Sequence, residues 1–173
     1  MNVRNMDVDP EITALLGAVM ENTEATWAGL PAQAPAVTEA DFLQIDIPNV
    51  EVYKKNQGQP SLLVNPLSFV RNMPLLEAAG ELLGGAEVKN HCVYKARSMM
   101  PWHTNRDDPG VRTYYTFTTG RALFRWMDNK GNVHTEVDAP GQWQARQFDV
   151  SADYPMWHSI WTQNKRFSFG FLK

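Results

Sequence analysis

A single cysteine, Cys92, in 173 residues means that no disulfide can form within the chain; packing must hold the core, and the thiol is expected to be buried and inert. No apolar run approaches the length of a bilayer span, and the opening MNVRNMDVDPEITALLGAVMEN lacks the basic, apolar, small-residue order of a secretory leader. A cytoplasmic protein without a membrane partner is the expectation. Basic residues are not in surplus either: 16 Lys and Arg stand against 19 Asp and Glu, a net charge of -3, which gives no electrostatic reason to expect nucleic acid. Three common chemistries lack their motifs. Gly84-Gly85 has neither the lysine nor the spacing of a phosphate loop, no nucleophile elbow supports a Ser-His-Asp set, and paired cysteines for zinc are missing.

What is present suits one folded domain. Hydrophobic residues at 43% and charged residues at 20% are ordinary for a globular chain, and this length buries roughly two-thirds of its unfolded surface. The pattern splits into a helical support region with edge strands, 1–87, and a strand-rich core, 88–173. Asp9 and Pro10 read as N-cap and first helical position, and Ile12, Leu15, Leu16 and Val19 follow at helical spacing, to about residue 22. After LPAQAPAV, FLQIDI at 42–47 alternates like a strand that VEVY extends. A second helix over 67–83 ends at Gly84-Gly85. From Val88 onward come VKNHCVYKA, VRTYYTFTT, RALFRWM, VHTEVDA, QWQARQFDV, WHSIW and RFSFGFL, with turns at Asn129-Lys130-Gly131 and Pro140-Gly141. Short strands with short connections predict a mainly β, antiparallel sandwich or barrel with flanking helices.

Of the four histidines, His91 and His134 read as structural; His103 and His158 stand in more informative surroundings. After His158 and a turn at 162–165, period-two geometry puts Phe167, Phe169 and Phe171 on one face of the last strand and Arg166, Ser168 and Gly170 on the other. Three phenylalanines need a core. The opposite face is either the solvated side of an edge hairpin or the wall of a barrel mouth, where Arg166 grips a carboxylate by charge-assisted hydrogen bonds and Ser168 adds a hydroxyl. Arg112 is open to two roles, facing substrate or forming a structural salt bridge, and the tryptophans of the strand half are expected to fill the core and rim the mouth.

His103 in WHTN, His158, Arg166 eight residues on and Ser168 two beyond that resemble the iron- and 2-oxoglutarate-dependent oxygenases over roughly residues 88–173. The WHTN and PGVR segments look like those of small bacteriophage-encoded members. The resemblance implies a double-stranded β-helix, or jelly-roll, in which Fe(II) is held by two histidines and usually an acid. It further implies that 2-oxoglutarate chelates the metal, and that its decarboxylation with O2 is coupled to hydroxylation of a C–H bond. Carried over residue by residue, His103 and His158 match the iron ligands, Arg166 with Ser168 the 2-oxoglutarate anchor, and Tyr94 a tyrosine that some members point at the same carboxylate. No catalytic residue beyond the metal site is implied.

The sequence departs from the family pattern at Asn105, which stands where the acid is expected. Its carbonyl oxygen can serve as a weaker ligand; Asp107 or Asp108 can reach back; or the protein supplies no third group. The same departure keeps two other classes open: a jelly-roll binding or structural protein that has lost the iron site, and a cupin-like metal enzyme that uses no 2-oxo acid. The primary substrate is open among protein side chains, nucleotides and small metabolites, and the oligomeric state is unassigned.

Overall fold

A computed structural model describes residues 3–27, 36–45, 67–68, 72–105, 108–151, 153 and 156–173. The elements in chain order are β1 (Arg4–Met6), α1 (Pro10–Trp27), α2 (Glu39–Gln44), β2 (Leu67–Ser68), α3 (Met73–Leu82), β3 (Glu87–Tyr94), β4 (Ser98–His103), β5 (Gly110–Thr118), β6 (Ala122–Met127), β7 (Val133–Asp138), β8 (Trp143–Val150), β9 (His158–Thr162) and β10 (Arg166–Leu172). The strands form two antiparallel sheets, a six-stranded one in the order β1-β8-β5-β10-β3-β2 and a four-stranded one in the order β4-β9-β6-β7. This is a double-stranded β-helix with helices on the outside.

The alternation of β10 organises the whole. Phe167, Phe169 and Phe171 point out of the large sheet into a core with Ile12, Leu16 and Val19 of α1 and Leu76 and Ala79 of α3. Arg166 and Ser168 point the other way, into the barrel, and both are buried. The face is therefore interior and not a solvated hairpin. A second cluster fills the inside, with Cys92, Tyr94, Phe124, Trp126, Phe148, Val150, Met156 and Ile160. On the outer side of the small sheet, Met99, Leu123 and Trp161 take Val37 and Phe42 from the segment around α2.

All seven strands expected after Val88 are present; the differences lie elsewhere. Residues 42–44 belong to helix α2, not to a strand, because Thr38 and Asp41 close a capping box that starts a helix and Phe42 is the residue it buries. The expected VEVY extension lies outside the described residues. Helix α1 runs to Trp27 rather than residue 22. The second helix begins at Met73, with Pro74 in its first turn, and Leu67 and Ser68 instead pair with β3. Its expected end holds: Gly84 and Gly85 both take φ of 76°, which a side chain would resist.

β4 was not expected, since Pro101 sits inside it. Proline lacks the N–H that a central strand must donate, but β4 is the edge of its sheet, where the loss is tolerated. Its register carries the site. Met100 pairs with Ile160 and His103 with His158, so three steps on β4 match two on β9. This one-residue bulge reverses the alternation, so Met100 and His103 both face inward and Trp102 turns out toward the Ile45 carbonyl.

Candidate active site

The bulge sets His103 directly against His158, with ring centroids 4.0 Å apart and planes inclined by 52°. Each ring is held by its own strand: His103 Nδ1 lies 2.8 Å from the Pro101 carbonyl, and His158 Nδ1 lies 3.1 Å from that of Met156. A carbonyl only accepts, so in both rings Nδ1 carries the proton and Nε2 keeps its lone pair. No hydrogen bond among the described residues uses either Nε2. Burial holds the His103 pKa below the ordinary imidazole value. It holds His158 well below, with His103, Arg112 and Arg166 adding to the depression. Both rings are thus neutral near pH 7, the form that binds metal.

Both rings line a cavity of about 200 Å³ whose other walls are Lys89, Asn90, Tyr94, Met100, Asn105, Arg112, Tyr114 and Ile160. Asn105, from the end of β4, is therefore in the same chamber as the histidines, and its buried Nδ2 has no hydrogen-bond partner. Asp107, the alternative third ligand, lies outside the described residues. Asp108 does not reach in: its carboxylate takes Arg112 Nη2 at 3.0 Å and Lys89 at 3.4 Å, with 42% of its side chain exposed. Among the described residues no three His, Cys, Asp or Glu side chains cluster as a metal site. The side chains that could hold a divalent cation here are the two imidazoles, with the Asn105 amide in the same chamber.

An adjoining recess of about 20 Å³ is lined by Tyr114, Thr116, Phe124, Arg146, Phe148, His158, Ile160, Arg166 and Ser168. Arg166 and Ser168 thus share a wall with His158. Tyr94 meets Arg166 through its ring face, with Cζ 5.5 Å from the ring centroid, so the contact is cation–π; burial raises the pKa of the phenol. Ser168 Oγ accepts from Asn90 Nδ2 at 3.3 Å.

Sequence reasoning missed the acid beneath the arginine. Asp138, at the end of β7 and fully buried, accepts from Arg166 Nε at 3.0 Å, and its other oxygen lies 2.6 Å from Arg146 Nη2. Arg146 Nε in turn donates to Glu136 at 2.9 Å, and Trp126 Nε1 donates to the same residue. Burial works against the Arg146 charge, but Asp138 and Glu136 outweigh it and hold its pKa above the ordinary value. Arg166 Nη1 is left buried without a partner. No local pattern in VHTEVDA announces any of this, because Asp138 and Arg166 are 28 positions apart. Cys92 is buried as expected, and His134 is structural, stacked on Trp126 and bonded to Asp128 at 3.0 Å.

The strands therefore define a double-stranded β-helix protein with two neutral histidines, one buried and one partly buried, beside an arginine-walled interior. No protein-family model and no curated protein matches the chain in sequence. Among solved structures, a prolyl-4-hydroxylase from Pseudomonas putida aligns with a TM-score of 0.50 at 12% identity, over 99% of this chain and 91% of that one. An oxalate oxidase in complex with the substrate analogue glycolate aligns at 0.40, with 11% identity over 83% of this chain and 75% of that one. The Drosophila melanogaster CENP-C cupin domain aligns at 0.34, with 9% identity over 74% and 99%. The first likeness is one of fold; the other two are too distant to argue from.

Proposed function

We propose that this chain is a single-domain Fe(II)- and 2-oxoglutarate-dependent oxygenase, a hydroxylase of C–H bonds. The observation that carries the reading is the convergence of two neutral imidazoles, each with Nδ1 tied to a backbone carbonyl and Nε2 unbonded, on a cavity that adjoins Arg166 and Ser168. The fold likeness to a prolyl-4-hydroxylase supports it. In this reading His103 and His158 hold the metal, Asn105 lies at or beside it, and Arg166 with Ser168 takes the far carboxylate of 2-oxoglutarate. When bound, the metal and the 2-oxo acid supply oxidative decarboxylation coupled to oxidation of a substrate C–H bond.

The protein's own contributions follow from its contacts. The carbonyls of Pro101 and Met156 hold the rings in the ligating tautomer. Asp138 fixes Arg166 through Nε and leaves Nη1 to receive an anion, which a buried donor without a partner favours. Phe124 and Phe148 pack against the His158 ring, with centroids 6.1 and 5.7 Å away, and cover that side of it. The test is iron-dependent formation of succinate from 2-oxoglutarate. Wild-type protein should produce it and His158→Ala should not, and turnover retained in that variant would remove His158 from the ligand set. Asn105 is what motivates the competing reading, a jelly-roll binding protein without iron chemistry; its mark is a melting temperature unmoved by Fe(II) far above micromolar levels.

A further inference from the structure

The interior has two cationic anchors, not one, and they lie at opposite ends of the same pair of strands. In the β5·β10 register Arg166 stands opposite Thr118, Ser168 opposite Thr116, Gly170 opposite Tyr114 and Leu172 opposite Arg112. Arg112 and Arg166 are thus six residues apart along the ladder, about 20 Å between backbones. His158 lines both spaces and feels the charge of both guanidinium groups. Arg166 belongs to the inner recess, whereas Arg112 and Lys89 belong to the 200 Å³ cavity, and the two spaces share Tyr114, His158 and Ile160.

The cavity end is built for an anion. Arg112 is 4% exposed. It donates through Nη2 to the Asp108 carbonyl and carboxylate, both at 3.0 Å, and its Nε is buried with no partner. The Lys89 ammonium lies 2.9 Å from Glu87 and 3.4 Å from Asp108. Those two acids are exposed by 69% and 42%, so they meet the cations from the solvent side. The cavity wall among the described residues holds two cations, two amides, two phenols and two neutral imidazoles, and no carboxylate. At about 200 Å³ it is smaller than the roughly 300 to 1,000 Å³ of pockets for drug-sized ligands.

We propose that the cavity takes a small carboxylic acid as the oxidised substrate, its carboxylate held by Arg112 and Lys89 while 2-oxoglutarate occupies the Arg166 end. The role of substrate rests on the oxygenase reading; the anion subsite does not. The two anchors place one acid on each side of the imidazole pair, which leaves the carbon skeleton of the second acid beside His103 and His158. A cationic substrate of the same size would bring like charge against Arg112 and Lys89, and a neutral one would offer the unpartnered Arg112 Nε a weaker acceptor.

The test uses butyrate, butyramide and butylammonium, which share a skeleton and differ in charge, with binding to the full chain read by saturation-transfer NMR. Butyrate should bind, butyramide about tenfold more weakly, and butylammonium not at all. Butyrate binding should persist in Arg166→Gln and fall about tenfold in Arg112→Gln. In calorimetry on Fe(II)-loaded protein, 2-oxoglutarate affinity should show the reverse dependence on the two arginines. Equal binding of butyramide, or loss of butyrate binding that follows Arg166 and not Arg112, overturns the proposal. Should Arg112→Gln not fold, Lys89→Gln, at a less buried cation, decides the matter: a loss of about threefold is expected and unchanged binding refutes it. If 2-oxoglutarate never binds while butyrate binding still follows Arg112, the oxygenase reading falls and the anion subsite stands.

Discussion

His103 and His158 are kept uncharged by the same burial that suits them to a metal, and this has a cost in acid. Their folded-state pKa values lie below the unfolded value, so the unfolded chain binds protons first as pH falls. The stability they allow is complete above about 6.5 and is lost as pH drops from there through the folded values, by about 1.4 kcal/mol per pH unit for each ring. Urea midpoints of the metal-free protein between pH 8 and 5 should show this decline, and it should shrink in His158→Asn. The amide of Asn105 carries no charge. An acid in its place adds a negative charge beside the metal, so Asn105→Asp should tighten Fe(II) binding by about tenfold or more, while Asn105→Ala should weaken it. Asp138→Asn leaves two buried arginines with only Glu136 between them, and a loss of about 3 kcal/mol is expected by chemical denaturation.

At the scale of elements, what was readable was periodic and what was not was long-range. The alternation in RFSFGFL assigns both faces of β10 without any knowledge of its neighbours, because each face has one chemical character. Phe171, fully buried against the helices, should cost about 3 to 5 kcal/mol when cut to alanine. Gly170 completes the inner face for a steric reason: an added Cβ would sit 2.6 Å from Tyr114 Cε1 and 2.9 Å from Asn90 Cβ. Both neighbours line the cavity, so Gly170→Ala should lower the melting temperature and, by pushing the Tyr114 ring, narrow the chamber in a crystal structure. β4 escaped the pattern because its proline and its bulge each break the alternation by which strands are recognised. The alternation in FLQIDI misled because a six-residue helix with one buried residue, Phe42, has no helical period to display. Asp138 was invisible for another reason: its partners come from β8 and β10, and pairing across sheets leaves no local trace.

The whole molecule places chemistry between two sheets while helices seal the outside of the large one. Its described helices include none long and apolar enough to cross a membrane. Within that shell the small sheet supplies both histidines, from β4 and β9, and the large sheet supplies the cationic wall, from β3, β5, β8 and β10. A metal on the first and an acid on the second are therefore expected to bind cooperatively, each completing a chamber that neither sheet forms alone. The most direct measurement is an anaerobic calorimetric titration of the metal-free protein with Fe(II), with and without 2-oxoglutarate. One equivalent of Fe(II) is expected to bind, and more tightly when 2-oxoglutarate is present. In Arg166→Gln the metal should still bind but without that tightening, and in His158→Ala it should not bind. Fe(II) binding that ignores 2-oxoglutarate, or the absence of any Fe(II) binding by the native chain, would overturn the oxygenase reading.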